Sequence, residues 1–188
     1  MTENFYALLA TRFGPHGNTV AIETPAGERY TYAEVDQETA RYAQLFATLG
    51  LKPGDRLALQ VEKSPQALFA YLGGLRAGLI CLPLNTGYRD LEIDYFLDNA
   101  EPGLLVCAPE RLEAATRLAA ARGVGQVLTL DAHGRGSLYE QARAQPAEFP
   151  TLEMRGDEVA LAVADTGVGI PAEVLPRIAR HVTVVSPD

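Results

Sequence analysis

Apolar residues along this chain follow two alternating patterns, a helical period and short unbroken runs. The helical period is clearest from Val35 to Leu49, and a second helix is predicted from Pro65 to Leu75. The unbroken run Leu79–Leu84 is typical of a strand that is covered on both faces. Because the same alternation recurs further along the chain, it predicts parallel strands connected by helices.

Polar and glycine residues mark where these elements begin and end. Thr31 and Glu34 have the capping-box spacing, in which each side chain accepts the free backbone N–H of the other residue. Ser137 and Glu140 have the same spacing and predict a second capping box. Three predicted helices are each followed by a glycine that can stop the helix: Gly50, Gly78 and Gly123.

The complete series of elements predicts an α/β fold. The predicted helices are 5–13, 31–49, 64–77, 91–97, 109–122 and 137–144, and the predicted strands are 20–24, 28–32, 56–61, 79–84, 104–108 and 126–130. The first two strands form a hairpin around the loop 25–27. The other four predict a doubly wound, mostly parallel sheet flanked by helices, with the hairpin as an N-terminal appendage. Residues 145–151 contain two prolines and are the best candidate for a linker.

Charge and composition exclude several classes of function. The 188 residues carry a net charge of −8, which argues against a nucleic-acid or acidic-membrane surface. The chain starts without the features of a signal peptide and has no apolar run of bilayer length, so we expect a soluble, cytoplasmic protein. The two cysteines, Cys81 and Cys107, lie in apolar runs and are interpreted as buried, inert thiols.

Other polar side chains do not form a pattern typical of catalysis or metal binding. The histidines lack metal-ligand spacing, so no metal site is predicted at His16, His133 or His181. The carboxylates of one predicted helix are interpreted as its solvated face: Asp90, Glu92, Asp94 and Asp98.

A series of short motifs lies between residues 30 and 102. They are Tyr30-Thr-Tyr-Ala-Glu34, Leu51-Lys-Pro-Gly-Asp-Arg56, Leu75-Arg-Ala-Gly78, Leu82-Pro-Leu-Asn85, Leu91-Glu-Ile-Asp-Tyr95 and Asn99-Ala-Glu-Pro102. In order and spacing they resemble the N-terminal region of the adenylate-forming acyl-CoA synthetases. Pro83-Leu-Asn-Thr86, followed by Tyr88, resembles the malonyl-CoA synthetase branch of that family. The resemblance covers about residues 5–161.

This resemblance implies a function for the intact family and a limited role for this region. The family forms an acyl-adenylate from a carboxylate and ATP with Mg, and then transfers the acyl group to CoA. In the family, the N-terminal region supports the active site and contributes little chemistry. We therefore predict no catalytic residue among these motifs and interpret the chain as a truncated or fused N-terminal fragment that is inactive by itself.

The sequence departs from the family where a phosphate-binding loop is expected. The resemblance implies a loop rich in Ser, Thr and Gly that ends in Lys-Gly, whose amides, hydroxyls and lysine hold the ATP phosphates. This chain has Ala164-Asp-Thr-Gly-Val-Gly-Ile-Pro171 instead, and no lysine follows Lys63. We therefore divide the chain into a family region, 1–161, and a tail, 162–188.

The tail has two interpretations that the sequence leaves open. Its glycines resemble the first glycine box of sensor histidine-kinase ATP-binding domains, which implies that Asp165 accepts a hydrogen bond from adenine while Gly167 and Gly169 let the backbone approach the nucleotide. Alternatively, the same glycines form a plain turn after a strand, Pro171 opens a helix, and 182–185 is a closing strand.

Two further hypotheses for the function of the whole chain follow. The chain is an ATP- or AMP-binding module that uses Asp165, Gly167 and Gly169, or it is a non-enzymatic interaction or scaffold protein. In the last case, apolar surface that a missing domain would cover is exposed, and we expect a homo-oligomer.

Overall fold

The computed structural model describes residues 4–155, 160–164 and 182–185. The helices are α1 Phe5–Ala10, α2 Tyr32–Thr48, α3 Pro65–Arg76, α4 Asp90–Ala100, α5 Leu112–Ala121 and α6 Ser137–Arg143. The strands are β1 Val20–Glu23, β2 Arg29–Thr31, β3 Arg56–Gln60, β4 Ile80–Pro83, β5 Leu104–Cys107, β6 Val127–Thr129, β7 Leu161–Ala164 and β8 Val182–Val185. Short 3₁₀ turns span Gly14–His16 and Pro109–Arg111.

The eight strands in the described residues form a hairpin and a separate parallel sheet, which is the division that the sequence pattern predicts. β1 and β2 pair antiparallel in a separate hairpin. The other six form a parallel sheet in the order β6-β5-β3-β4-β7-β8. Helices α1, α2, α3 and α6 share one apolar core with the sheet, whereas α4 and α5 share a second core with alternate strand residues. The predicted doubly wound α/β fold with an N-terminal hairpin is therefore confirmed.

The last two strands extend this sheet beyond β4. β7 pairs with β4 on one side and with β8 on the other, and all three strands are parallel. The predicted closing strand 182–185 is thus present as β8. β7 begins at Leu161, at the predicted division between the family region and the tail, and that division remains a prediction.

Most of the predicted helix ends are confirmed. The Thr31 hydroxyl accepts the N–H of Glu34 at 3.3 Å, and the Glu34 carboxylate accepts the N–H of Thr31 at 2.7 Å. The Ser64 hydroxyl caps α3 by accepting the N–H of Ala67 at 3.1 Å. The three predicted stop glycines all have positive φ, which L-residues with a side chain rarely adopt: Gly50, Gly78 and Gly123.

The predicted capping box at Ser137 is wrong. Ser137 is the first residue of α6, and the N-cap is Gly136. The Ser137 hydroxyl accepts the N–H of Thr129 at 2.9 Å, so it joins the helix to the end of β6. The local spacing misleads here because a neighbouring strand supplies a donor that the sequence pattern does not show.

The acidic side of α4 is only partly solvated, which corrects the sequence interpretation. Arg122, just after α5, donates to both Asp94 and Asp98 at 2.6 Å, and Arg111 donates to Asp90. The hydrogen bonds from Arg122 hold the pKa of the Asp94 carboxyl below its usual range. These ion pairs join α4 to α5 on one face of the sheet.

Removal of the Arg122 guanidinium is expected to have a pH-dependent effect. Because the pKa of Asp94 is lower in the folded state, its pairing stabilises the fold above the ordinary Asp pKa, and this contribution is lost as pH falls. Arg122→Gln should therefore lower the urea midpoint at neutral pH, and the difference from the wild type should shrink below about pH 4.

The control for this experiment is Arg117→Gln. Its guanidinium lies 3.7 Å from Asp90 and is 67% exposed, so little change is expected at either pH. An Arg122→Gln effect of equal size at neutral and acidic pH would contradict the electrostatic explanation.

None of the helices in the described residues is long and apolar enough to cross a membrane.

Candidate functional site

The carboxyl ends of β3, β4 and β7 lie together at one edge of the parallel sheet. In the strand order, the connection after β4 crosses β3 to reach β5 on one side of the sheet. The connection after β7 leads to β8 on the other side. The two connections therefore leave neighbouring strands in opposite directions. Open α/β sheets bind ligands at such a switch in strand order, so this edge is the candidate site.

The loop that follows β4 is held at this edge by the last residue of β3. Gln60 is 6% exposed, and its amide nitrogen donates to the carbonyl oxygens of Asn85 at 3.2 Å and Tyr88 at 3.0 Å. The Asn85 side-chain oxygen accepts the N–H of Gly87 at 2.8 Å and tightens the same loop. The motif Pro83–Tyr88 begins at the last residue of β4 and continues through this loop, so Gln60 holds most of that motif in place.

The role of Gln60 was not predicted from the sequence. The available signal is a polar residue at the end of the apolar strand Leu57–Leu59. Such a residue, when it is buried, needs a hydrogen-bond partner, and loop carbonyls at the strand end are the nearest acceptors.

An open groove of about 580 Å³ adjoins the edge, between the hairpin and the start of α3. Its walls are mainly apolar and include Leu59, Leu68, Tyr71 and Leu84. Lys63 lies at the rim and has no ion pair among the residues that the structure describes. The lining also includes Glu23 and Glu62, so the groove offers an apolar surface with charged groups of both signs beside it.

The predicted nucleotide-binding residues Asp165, Gly167 and Gly169 lie outside the described residues, as does the helix predicted after Pro171. The structure does describe Ala164, the last residue of β7. Asp165 follows Ala164 directly in the sequence. The roles of these three residues remain predictions.

Both thiols are free, buried and unreactive in character, which confirms their interpretation. Burial raises the pKa of Cys81 to about 12 and that of Cys107 to about 11. Both thiols are therefore harder to deprotonate at neutral pH than an exposed cysteine. Within the described residues, no group of three or more His, Cys, Asp and Glu side chains is placed to hold a metal ion.

Comparison with known proteins identifies the family. Residues 10–166 match the family described as AMP-binding enzyme. The chain belongs to this family. The predicted resemblance to adenylate-forming acyl-CoA synthetases is confirmed, and the AMP-binding family uses ATP, Mg and CoA.

Individual relatives in the family include CoA ligases. The chain is 35% identical over 104 residues to the crotonobetaine/carnitine–CoA ligase of Escherichia fergusonii, which covers 54% of this chain. ATP-bound MatB from Rhodopseudomonas palustris is similar with a TM-score of 0.82 and 39% identity over 86% of this chain. An ATP-bound RpMatB-BxBclM chimera is similar over 100% of the chain, with a TM-score of 0.82 and 29% identity.

The chain is much shorter than these relatives. It covers 20% of the carnitine–CoA ligase, 32% of the MatB chain and 46% of the chimera. The similarity therefore concerns one part of each relative.

Proposed function

We propose that this chain supplies the N-terminal scaffold of an acyl-CoA ligase of the malonyl-CoA synthetase branch. The observation that carries this proposal is the 39% identity and TM-score of 0.82 to MatB over 86% of the chain. The motif Pro83–Tyr88, which suggests the same branch, is held in place at the candidate edge by Gln60. The carboxylate substrate of the whole ligase would then be malonate.

We also propose that these 188 residues do not form the acyl-adenylate by themselves. The polar groups described at the edge, Gln60 and Asn85, are engaged in holding the loop. The sequence after β7 reads Asp165-Thr-Gly-Val-Gly169 and lacks the lysine that the family resemblance implies for the ATP phosphates, although Arg177 and Arg180 follow further along. The described residues therefore support a scaffold role, without the binding of ATP phosphates.

The test is malonate-dependent release of pyrophosphate from Mg-ATP. We expect no release by the chain alone at catalytic amounts. A chimera that joins residues 5–161 of this chain to the downstream part of MatB should release pyrophosphate only when malonate is present. Turnover by the chain alone would contradict its inactivity, and a folded chimera without turnover would contradict the scaffold role.

A second candidate function is nucleotide binding by the tail. It is favoured by the position of β7. The carboxyl end of this strand lies at the switch in strand order, which is where open α/β sheets bind ligands. In this hypothesis Asp165, Gly167 and Gly169 bind ATP or AMP. Asp165→Ala should then abolish ATP affinity, and unchanged affinity would refute the role.

Self-association is a third proposal. Several large apolar side chains are exposed, and Leu91 is the most exposed at 85%. Light scattering should then show a dimer or a larger oligomer. A monomer that binds no hydrophobic dye would contradict this proposal.

A further inference from the structure

Arg76 is a buried cation for which the proposed function gives no role. It is the last residue of α3 and is 8% exposed. Its Nε and Nη2 both donate to the carbonyl oxygen of Phe149, at 3.0 and 2.6 Å. Its Nη1 donates to the Asp36 carboxylate at 3.0 Å and to the Asp36 carbonyl oxygen at 2.9 Å. One guanidinium therefore joins α3 to α2 and to the chain before β7.

The chain before β7 is held at the same place by further contacts. The N–H of Leu152 donates to the Arg76 carbonyl oxygen at 3.2 Å. The Asn4 side-chain amide donates to the carbonyl oxygens of Leu152 and Leu75, both at 3.0 Å. Residues 149–152, which we call the clasp segment, are therefore bound on two sides. Part of the predicted linker 145–151 is thus fixed to the fold.

The attachment of β7 to the sheet is short by comparison. Its register on β4 is set at Cys81 and Leu161, and the Cys81 N–H donates to the carbonyl oxygen of Ala160 at 3.1 Å. β7 also pairs with β8 at four positions, so the pairing of both strands with the rest of the sheet rests on the short ladder between β7 and β4. Eight residues, 153–160, separate the clasp segment from Leu161 in the sequence. Fixation of the clasp segment therefore limits how far β7 can move from the end of α3.

We propose that Arg76 is a positioning residue that keeps β7 paired with β4 at the candidate edge. It acts through the clasp segment, and Asn4 assists it from the N-terminal side. The proposal concerns the position of β7 alone, so it stands whether or not the chain takes part in ligation. The start of α1 and the clasp segment are both held at the end of α3, through Asn4 and Arg76.

Guanidinium chemistry explains why arginine suits this position. Its planar N–H groups can serve a carbonyl and a carboxylate at the same time, which an ammonium group does less well. The Tyr6 hydroxyl, 3.3 Å from Arg76 Nη1, stays neutral because burial raises its pKa above the ordinary tyrosine value. The negative charge that faces the guanidinium in the described residues is therefore that of Asp36.

The test is amide hydrogen exchange of the 188-residue chain, with Arg76→Met as the first variant. Methionine keeps an apolar chain in the site but makes no hydrogen bond to Phe149 or Asp36. Exchange at Leu161–Ala164 should become faster by at least about tenfold, because hydrogen bonds from a charged group are lost. Exchange at Leu57–Leu59 of β3 should stay within about twofold of the wild type.

Two further variants separate positioning from a general loss of stability. Arg122→Met removes an arginine from the opposite face of the sheet and should not change exchange at β7 selectively. Asn4→Ser keeps a side-chain oxygen to cap α1 but loses the amide that reaches Leu152. Asn4→Ser should therefore speed exchange at β7 in the same direction as Arg76→Met, and it carries the test if Arg76→Met does not fold.

Thiol labelling shows whether the rest of the core remains closed. Cys81 and Cys107 are both fully buried in the wild type, and they should stay unlabelled in the variants. Faster exchange at β7 with both thiols protected would support the positioning role. Unchanged exchange at β7, or equally faster exchange in β3, β5 and β7, would overturn it.

Discussion

Gly136→Ala is expected to reduce the free energy of unfolding by about 3–5 kcal/mol, which is a large part of the stability of a domain. Gly136 has φ 139° and ψ 177°, a backbone conformation that is essentially restricted to glycine. A Cβ at this position would overlap the Thr129 carbonyl oxygen and lie 2.7 Å from the Thr129 carbonyl carbon. The loss should appear as a lower urea midpoint.

The matched control for Gly136→Ala is Gly125→Ala. Gly125 lies in the connection between α5 and β6, has no positive φ, and would place its Cβ more than 4 Å from every neighbouring heavy atom. Alanine there should be neutral or slightly stabilising, because it reduces the freedom of the unfolded chain. Equal urea midpoints for the two variants would contradict the close contact between Gly136 and the Thr129 carbonyl group.

Gly73→Ala is expected to destabilise the fold by roughly 1–3 kcal/mol, although alanine is the better helix former by about 1 kcal/mol. Gly73 lies in α3 where that helix crosses α2. Its Cβ would be 2.7 Å from the Tyr42 Cβ and 2.9 Å from the Thr39 carbonyl oxygen. Because one of these atoms belongs to the backbone of α2, the helices would have to separate, and the overlap outweighs the gain in helix propensity.

Denaturant unfolding of Gly73→Ala beside the same Gly125→Ala control checks this balance. A higher midpoint for Gly73→Ala than for the wild type would mean that helix propensity dominates, and it would contradict the close crossing of α2 and α3.

The elements of the fold were predictable because local pattern and tertiary position agree. The unbroken run around Leu82 is a parallel strand with helices on both faces, and the period from Val35 to Leu49 is the buried face of α2. Thr31 caps α2 through a residue only three positions away, so the sequence alone shows both partners.

The errors occur where a distant residue determines the contact. Ser137 has the spacing of a cap, but it bonds to Thr129 across the junction of β6 and α6. Arg76 appears in the motif Leu75–Gly78 without any indication that its partners lie at Asp36 and Phe149. Contacts that span eight positions at Ser137 and 40 or 73 positions at Arg76 leave no periodic trace in one sequence, so these roles are visible only in the folded chain.

The candidate site was predictable only in outline. The motif Pro83–Tyr88 pointed to the family, and the strand order places this loop at the carboxyl edge. The groove beside Lys63 was not anticipated, because its walls come from the hairpin, β3 and α3 together. The tail residues Asp165, Gly167 and Gly169 remain predictions from local resemblance.

Calorimetric titration of the 188-residue chain with Mg-ATP, with malonate present and absent, tests the proposed scaffold role most directly. The account predicts no saturable heat in either condition, because the sequence after β7 has no lysine for the ATP phosphates. Saturable binding to one site would contradict it and would show that these residues form a nucleotide site of their own.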